Sequence, residues 1–166
     1  MKKLTIGSST YDDFDSLYFT YQSLRLNNQE LAEQLDFLVV DNNPESQQGK
    51  STARLCKKIG AKYIPYGERR STACRNLVFE HSESLFTMCI DSHVIFEPYT
   101  IKRLLEWIDD NSDCEDLIQG PMLYDWLKSD MATQMKPVWR DNMFGIWDSD
   151  DRGKDPDGEP YEIPMH

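Results

Sequence analysis

Short, largely apolar runs alternate with amphipathic segments up to about residue 121. The apolar runs are typical of strands buried in a sheet, and they occupy residues 4–8, 37–40, 63–64 and 85–90. Apolar side chains at three- and four-residue spacing predict helices over residues 14–26, 48–59, 71–80 and 98–108. Two shorter segments, 94–96 and 117–119, are also predicted to be extended. The alternation predicts an α/β fold, a Rossmann-like and mostly parallel sheet with helices on both faces.

The pattern changes after residue 121. From Met122 onward Trp, Met and Asp residues occur with little periodicity, and residues 148–160 are polar and rich in turn-forming residues. A length of 166 residues suits one domain with a hydrophobic core better than two domains. We therefore predict a single domain in which residues 1–121 form the sheet and residues 122–166 are irregular.

Polar clusters follow three of the predicted strands and begin at Thr10, Asp41 and Asp91. The carboxyl ends of parallel strands meet at one edge of a sheet, where ligands bind, so these clusters are predicted to converge on one cleft. Arg75 lies near the start of a predicted helix, where a guanidinium group suits a diphosphate. The predicted binding residues are Thr10, Tyr11, Asp12, Asp41, Asn42, Arg75, Asp91 and Ser92.

The segment Asp91-Ser92-His93 holds two potential metal ligands at alternate positions. In extended backbone the side chains of Asp91 and His93 point to the same side, so one divalent ion could bridge them. A carboxylate and a neutral imidazole suit manganese better than calcium, and they leave positions for phosphate oxygens. The alternative is structural: Asp91 caps the following turn, and His93 is a surface or packed histidine.

Other candidate side chains also have two interpretations. Asp41 could accept hydrogen bonds from a base or a ribose, or it could be a turn residue. Tyr11 could stack on a nucleotide ring or pack against the protein. Arg69, Arg70 and Arg75 form the densest positive cluster, which could bind a diphosphate or form a solvated basic turn.

Composition limits the partners and the location. A net charge of −11 makes binding to a nucleic-acid backbone unfavourable, and most of the acidic excess lies after residue 110. No window approaches the roughly eighteen apolar residues of a membrane span, and no signal segment precedes the first strand. The four cysteines lack a Cys-x-x-Cys spacing, which favours buried free thiols in a reducing compartment. We expect no nucleic-acid partner, no membrane segment and a cytoplasmic location.

The order of these motifs resembles the nucleotide-sugar-binding half of family 2 glycosyltransferases with the GT-A fold. The resemblance spans residues 4–121 and is carried by Ser9-Thr10-Tyr11, Asp41, Gly67 to Arg75-Asn76, and Asp91-Ser92-His93. It implies that Thr10, Tyr11 and Asp41 line the nucleoside pocket. Arg75-Asn76 match the end of the family's Gly-x-x-x-Ala-Arg-Asn-like helix start, with Cys74 in place of alanine.

The same resemblance implies a metal and a donor. Asp91 corresponds to the first acid of the family's DxD motif, near the ribose and the metal, and His93 stands where the second acid coordinates the ion. The Asp-Ser-His form is similar to the motif of polypeptide N-acetylgalactosaminyltransferases, which use manganese and a UDP-sugar. The implied cofactor is Mn²⁺ (or Mg²⁺), and the implied donor is a nucleotide-diphosphate sugar, with a UDP-sugar favoured.

The function implied is metal-dependent transfer of a sugar, hexosyltransferase-like and inverting, to an unknown acceptor. Residues 122–166 would be a partial, possibly truncated acceptor-side segment. The family's catalytic base lies well downstream of DxD, and no secure counterpart precedes His166, so the catalytic residues are unassigned. Asp148, Asp150 and Asp151 are candidate bases by composition only. The alternative function is a non-catalytic nucleotide- or carbohydrate-binding module derived from a truncated glycosyltransferase.

Two groups near the C-terminal end have open roles. Trp126, Trp139 and Trp147 could stack on sugar rings of an acceptor, or they could pack in a core. His166 could add a distant metal ligand, or it could be a disordered terminal residue.

Overall fold

The structure is a computed structural model and describes residues 1–68, 71–123, 131–155 and 157–163. The chain divides into two compact units, Met1–Cys114 and Glu115–His166. The division at residue 121 within one domain stays a prediction. Every helix in the described part of the chain is too short or too polar to span a membrane.

The first unit alternates strands and helices in the predicted order. Its strands are β1 (Leu4–Thr10), β2 (Leu35–Asp41), β3 (Lys62–Pro65) and β4 (Phe86–Asp91). Its α-helices are α1 (Phe14–Asn27), α2 (Gln47–Ile59), α3 (Asn76–His81) and α4 (Thr100–Asp110). Short 3-10 helices precede β2 and α3, at Gln29–Gln34 and Thr72–Arg75. The helix predicted over residues 71–80 is therefore divided into a 3-10 turn and a short α-helix.

The four strands form a parallel sheet in the order β3-β2-β1-β4. The chain moves outward from β1 to β3 and then crosses back to add β4 on the other side of β1. Because such crossovers are right-handed, the reversal puts the connecting helix on the opposite face. Thus α1, α2 and α4 pack on one face and α3 on the other. The predicted α/β fold is confirmed.

Alternate side chains of the central strands fill the two faces. Leu4 and Ile6 of β1 are buried against α1 and α4, whereas Val40 of β2 packs against Val78 of α3. A Cβ atom added to Gly7 of β1 would lie 2.1 Å from Cγ1 of Val78. The glycine therefore lets α3 contact the backbone of the central strand directly.

Two segments predicted to be extended form no strand. Residues 94–96 instead donate two backbone N–H groups to the hydroxyls of Thr20 and Ser23 in α1, at 3.0 and 3.2 Å. Residues 117–119 also form no strand, and Leu117 is 86% exposed. A short apolar run becomes a strand only where a neighbouring strand completes its hydrogen bonds, and neither segment pairs with a strand in the part of the chain that the structure describes.

The second unit contains two antiparallel pairs. β5 (Met122–Leu123) pairs with β6 (Met131–Ala132), and β7 (Gln134–Arg140) forms a hairpin with β8 (Met143–Asp148). A 3-10 helix follows at Asp151–Lys154. The part of the chain predicted to be irregular thus includes a β-hairpin.

The hairpin turn follows from its two central residues. Asp141 and Asn142 have φ angles of +49° and +65°, as a two-residue type I′ turn requires, and Asp and Asn tolerate this region. Residues 137–138 oppose Gly145 in an irregularity of the ladder. This bulge interrupts the alternation of side chains, so the strand period is hidden in the sequence.

Candidate functional site

The carboxyl ends of β1, β2 and β4 lie side by side, and we call this the carboxyl edge. Thr10 is paired with Asp41, and Ser9 is paired with Asp91. The order of the sheet reverses between β1 and β4, the position at which open α/β sheets bind ligands. The three polar clusters therefore meet at one edge, as predicted.

Asp41 is at this edge but is only 1% exposed. Its Oδ1 accepts the backbone N–H of Asn43, and its Oδ2 accepts the hydroxyl of Tyr63, both at 2.9 Å. Burial and this hydrogen bond raise the pKa of Tyr63, and burial, with a smaller effect of Asp41, raises the pKa of Cys56 to about 12. Tyr63 and Cys56 therefore stay protonated at neutral pH. The two hydrogen bonds of Asp41 fix the conformation of the loop after β2.

Hydrogen bonds join the loop after β1 to the loop after β2. The backbone N–H of Asn42 donates to the carbonyl oxygen of Thr10 at 2.8 Å. The side-chain amide of Asn43 donates to Oδ2 of Asp12 at 2.9 Å. Thr10 and Asn42 are buried, whereas Tyr11 and Asp12 are exposed. The two loops thus form one connected surface at the carboxyl edge.

Arg75 ends the 3-10 turn beside this edge and contacts β4. Ser71 caps the start of this turn: its Oγ accepts the N–H of Ala73 at 3.1 Å, and its carbonyl oxygen accepts the side-chain amide of Asn42 at 3.3 Å. Nη2 of Arg75 donates to Oδ1 of Asp91, and both side chains are a little under half exposed. The guanidinium group of Arg75 therefore occupies one carboxylate oxygen of Asp91, a predicted metal ligand.

Asp13, which was not predicted from the sequence, binds the turn after β4. Oγ of Ser92 donates to Oδ2 of Asp13 at 2.7 Å, and Nδ1 of His93 lies 3.9 Å from the same oxygen. Oγ1 of Thr20 in α1 donates to the carbonyl oxygen of Ser92 at 2.9 Å. Burial acts to raise the pKa of Asp13, but contacts with Ser16 and Ser92 and the nearby His93 outweigh it and lower the pKa.

Asp91 ends β4, but Ser92 and His93 lie in the turn that follows, so the extended backbone predicted for this segment stops at Asp91. The binding of one cation by Asp91 and His93 stays a prediction. The side chain of His93 is 68% exposed. No group of three His, Cys, Asp or Glu side chains suited to one ion occurs among the residues that the structure describes. A cation at the end of β4 would therefore complete its coordination with water or with atoms of a bound molecule.

The candidate bases of the second unit are paired with cations. Asp148 lies 2.5 Å from Lys136, Asp150 lies 2.8 Å from Arg152, and Asp151 pairs with a lysine three residues later. The hydrogen bond from Lys136 lowers the pKa of Asp148, and that from Arg152 lowers the pKa of Asp150 to about 2. A carboxylate with so low a pKa is a weak proton acceptor at neutral pH.

Two of the predicted sugar-stacking residues lie on the surface of the hairpin. Trp139 is 72% exposed, with its ring 5.3 Å from that of Phe144, and Trp147 is also exposed. Their stacking on an acceptor sugar stays a prediction. The remaining candidates lie outside the described residues: Arg69, Arg70, Trp126 and His166.

Comparison with known proteins connects this arrangement with a family. The sequence matches Glycosyl transferase family 2 over residues 5–152, a span that includes the whole carboxyl edge. The chain belongs to glycosyltransferase family 2. This match confirms the family that the motifs resembled. The Asp-Ser-His form of the family's DxD motif stays a prediction. No curated protein matches the sequence.

Solved structures share the GT-A fold of this family 2 chain. The crystal structure of S. aureus TarS 1–349 has a TM-score of 0.57 at 18% identity, over 71% of this chain and 39% of that chain. The mannosyltransferase PcManGT from Pyrobaculum calidifontis, in complex with GDP-Man and Mn²⁺, has a TM-score of 0.55 at 15% identity, over 72% and 34%. TarS 1–349 in complex with UDP-GlcNAc has a TM-score of 0.54 at 16% identity, over 71% and 37%. The chain thus spans less than half the length of these proteins.

Proposed function

We propose that this chain carries the donor side of a glycosyltransferase, which moves a sugar from a nucleotide-diphosphate sugar to an acceptor with inversion at the anomeric carbon. The observation that carries the proposal is the meeting of three polar strand ends where the sheet order reverses. Two solved structures with this fold contain nucleotide sugars, UDP-GlcNAc and GDP-Man, which supports the proposal. A UDP-sugar is the favoured donor because of the Asp-Ser-His motif.

The nucleoside would bind against the joined loops after β1 and β2. Tyr11 and Asp12 are exposed there, and the backbones of Thr10 and Asn42 are hydrogen-bonded next to them. A phenol ring offers a stacking face, and carboxylate and amide groups offer partners for ribose and base. Asp41 is buried and would contribute by stabilising the conformation of the loop after β2.

The diphosphate would bind near Arg75 and the turn after β4. Asp91 and His93 would hold Mn²⁺ (or Mg²⁺), because a carboxylate and an exposed imidazole suit this ion and leave positions for phosphate oxygens. When bound, the ion neutralises the charge of the leaving diphosphate. Arg75 would add charge-assisted hydrogen bonds to the phosphate oxygens. The hydroxyl of Ser92 is held close by in its bond to Asp13.

Net charge and free cysteines support two further parts of the proposal, the absence of a nucleic-acid partner and a cytoplasmic location. A net charge of −11 supports the absence of a nucleic-acid partner. All four cysteines are free, which supports a reducing compartment and hence a cytoplasmic location.

Calorimetry with UDP tests the proposed metal role. We expect UDP to bind at least about tenfold more tightly in Mn²⁺ than in EDTA, because the ion would join the protein to the diphosphate. Asp91→Ala and His93→Ala should each remove this difference. Asp15→Asn, in the exposed first turn of α1, should keep it. Equal UDP affinity of the wild-type chain in Mn²⁺ and in EDTA would overturn the proposed metal dependence.

Turnover of UDP-sugars separates the enzyme from its alternative, a non-catalytic nucleotide- or carbohydrate-binding module. Slow release of UDP by the wild-type chain, lost in Asp91→Ala, would support the transferase. Mn²⁺-dependent UDP binding without any turnover would support the module. GDP- and dTDP-sugars in the same assay test the donor preference.

A further inference from the structure

We infer that Asp13 is a positioning residue, which holds the Asp91-Ser92-His93 turn and determines which nitrogen of His93 a divalent cation can use. The inference rests on the proposed function, because that function makes His93 a metal ligand. Asp13 would contact neither the cation nor the sugar. It would act through the side chains of Ser92 and His93.

The carboxylate of Asp13 connects two distant parts of the chain. Oγ of Ser92 donates to Oδ2 of Asp13 at 2.7 Å across 79 positions of sequence. The carbonyl oxygen of Asp13 accepts the N–H of Leu17 at 3.2 Å, which fixes its backbone to the first turn of α1. Its side chain is 35% exposed, so the carboxylate is partly enclosed by these contacts. A rigid helix thus presents the carboxylate to the turn.

Thr20, further along α1, holds the same turn independently of Asp13. Its buried hydroxyl donates to the carbonyl oxygen of Ser92 at 2.9 Å and accepts the N–H of Val94 at 3.0 Å. These two bonds fix the backbone on both sides of His93. The contribution of Asp13 is therefore to the side chains of the turn, whereas Thr20 secures its backbone.

One nitrogen of the His93 imidazole lies near this carboxylate. Nδ1 lies 3.9 Å from Oδ2 of Asp13, which is longer than a hydrogen bond but close enough for electrostatic attraction. The carboxylate of Asp91, by contrast, is bound by Arg75. An acid at Nδ1 favours the tautomer protonated there and leaves the Nε2 lone pair for a metal, as carboxylates behind metal-binding histidines do.

The test uses the whole chain with Asp13→Asn, Ser92→Ala and the matched control Asp15→Asn. In the metal-free protein, ¹⁵N NMR of the His93 ring should show the Nδ1–H tautomer in the wild type and the control, and a shift toward Nε2–H in Asp13→Asn. In EPR titrations with UDP present, Asp13→Asn should bind Mn²⁺ about 10–100-fold more weakly. Ser92→Ala should show a smaller loss of Mn²⁺ affinity, and UDP affinity in EDTA should be the same in Asp13→Asn and Asp15→Asn as in the wild type.

Each result has a separate meaning. Unchanged tautomer and unchanged Mn²⁺ affinity in folded Asp13→Asn would overturn the inference while leaving the proposed function intact. If the wild-type chain shows no Mn²⁺-dependent UDP binding, the proposed metal role fails, and the tautomer comparison alone decides whether Asp13 orients His93. Should Asp13→Asn fail to fold by circular dichroism, Ser92→Ala replaces it, and unchanged Mn²⁺ affinity in that variant overturns the inference.

Discussion

Arg75 and Asp91 bind each other, and each is also proposed to bind a ligand. The guanidinium group of Arg75 donates to Oδ1 of Asp91, and both side chains are a little under half exposed. An exposed ion pair of this kind contributes about 0–1 kcal/mol to stability, so its effect on ligand binding should exceed its effect on folding. In the proposed site without nucleotide, Arg75 would compete with a metal ion for Asp91. With nucleotide bound, it would supply positive charge to the diphosphate.

Replacing Arg75 by Gln is therefore expected to change Mn²⁺ binding and UDP binding in opposite directions. Mn²⁺ alone should bind more tightly, because no guanidinium group competes for Asp91. UDP in EDTA should bind about tenfold or more weakly, since a hydrogen bond to a charged group contributes roughly 1.5–3 kcal/mol. EPR titration measures the first effect, and calorimetry measures the second.

A matched control for this prediction is Arg54→Gln. Arg54 is an exposed arginine of α2 whose guanidinium group donates to the hydroxyl of Ser51. Its replacement should change neither affinity. If Arg75→Gln weakens both ligands together, or affects neither, then competition at Asp91 is not the role of Arg75.

The residue types of the site could be predicted from the sequence, but their contacts could not. The burial of Asp41 depends on Tyr63, 22 positions away, and the contact of Asp13 depends on Ser92, 79 positions away. Local spacing carries no information about such pairs, because the sheet brings them together only after folding. The one local indication for Asp13 is its position directly before α1, where an acid commonly caps a helix.

Among the secondary-structure elements, α3 determines where Arg75 lies. This helix has only six residues and would not be stable alone, so its position depends on its contact with β1. Gly7 permits that contact, because an added Cβ atom would lie 2.1 Å from Cγ1 of Val78. The 3-10 turn that ends at Arg75 leads directly into α3. A displacement of the helix should therefore also move Arg75 away from Asp91.

Gly7→Ala is expected to destabilise the chain by about 1–3 kcal/mol, because the new methyl group overpacks the contact between β1 and α3. It should also weaken UDP binding, since Arg75 moves with the helix. Urea denaturation measures the stability, and calorimetry measures the binding.

Two further variants make this prediction specific. Gly120→Ala adds a methyl group where no atom lies within 4 Å, and it should change stability little. The double variant Gly7→Ala/Val78→Ala removes the clashing Cγ atoms, so it should be less destabilised than the sum of the two single variants. Simple additivity would contradict a direct clash between Gly7 and Val78.

Most elements of the first unit were predictable because their apolar runs form strands of the sheet or the buried faces of helices, with residues 94–96 as an exception. The hairpin of the second unit was not, since its bulge at residues 137–138 breaks the two-residue period. A readable signal did exist in Asp141-Asn142, two residues that accept positive φ angles and favour a type I′ turn. Turn chemistry would therefore have found β7 and β8 where hydrophobic periodicity fails.

For the whole molecule, the proposed donor site belongs to one of the two units. Met1–Cys114 contains the four-stranded parallel sheet, the apolar side chains packed on its two faces, and every described candidate for nucleotide or metal binding. The second unit contains the ion-paired carboxylates and the exposed indole rings of the hairpin. Donor binding should therefore be a property of the first unit alone.

The fragment Met1–Cys114 is accordingly expected to fold by itself and to bind UDP with Mn²⁺ as tightly as the whole chain does. Its length is that of a small domain, and its core is made by its own strands and helices. Thermal unfolding followed by circular dichroism tests the folding, and calorimetry tests the affinity, with Asp91→Ala in the fragment as the control that loses the Mn²⁺ effect. A fragment that folds cooperatively but binds UDP about tenfold more weakly would contradict this assignment, because residues after Cys114 would then have to contribute to the donor pocket.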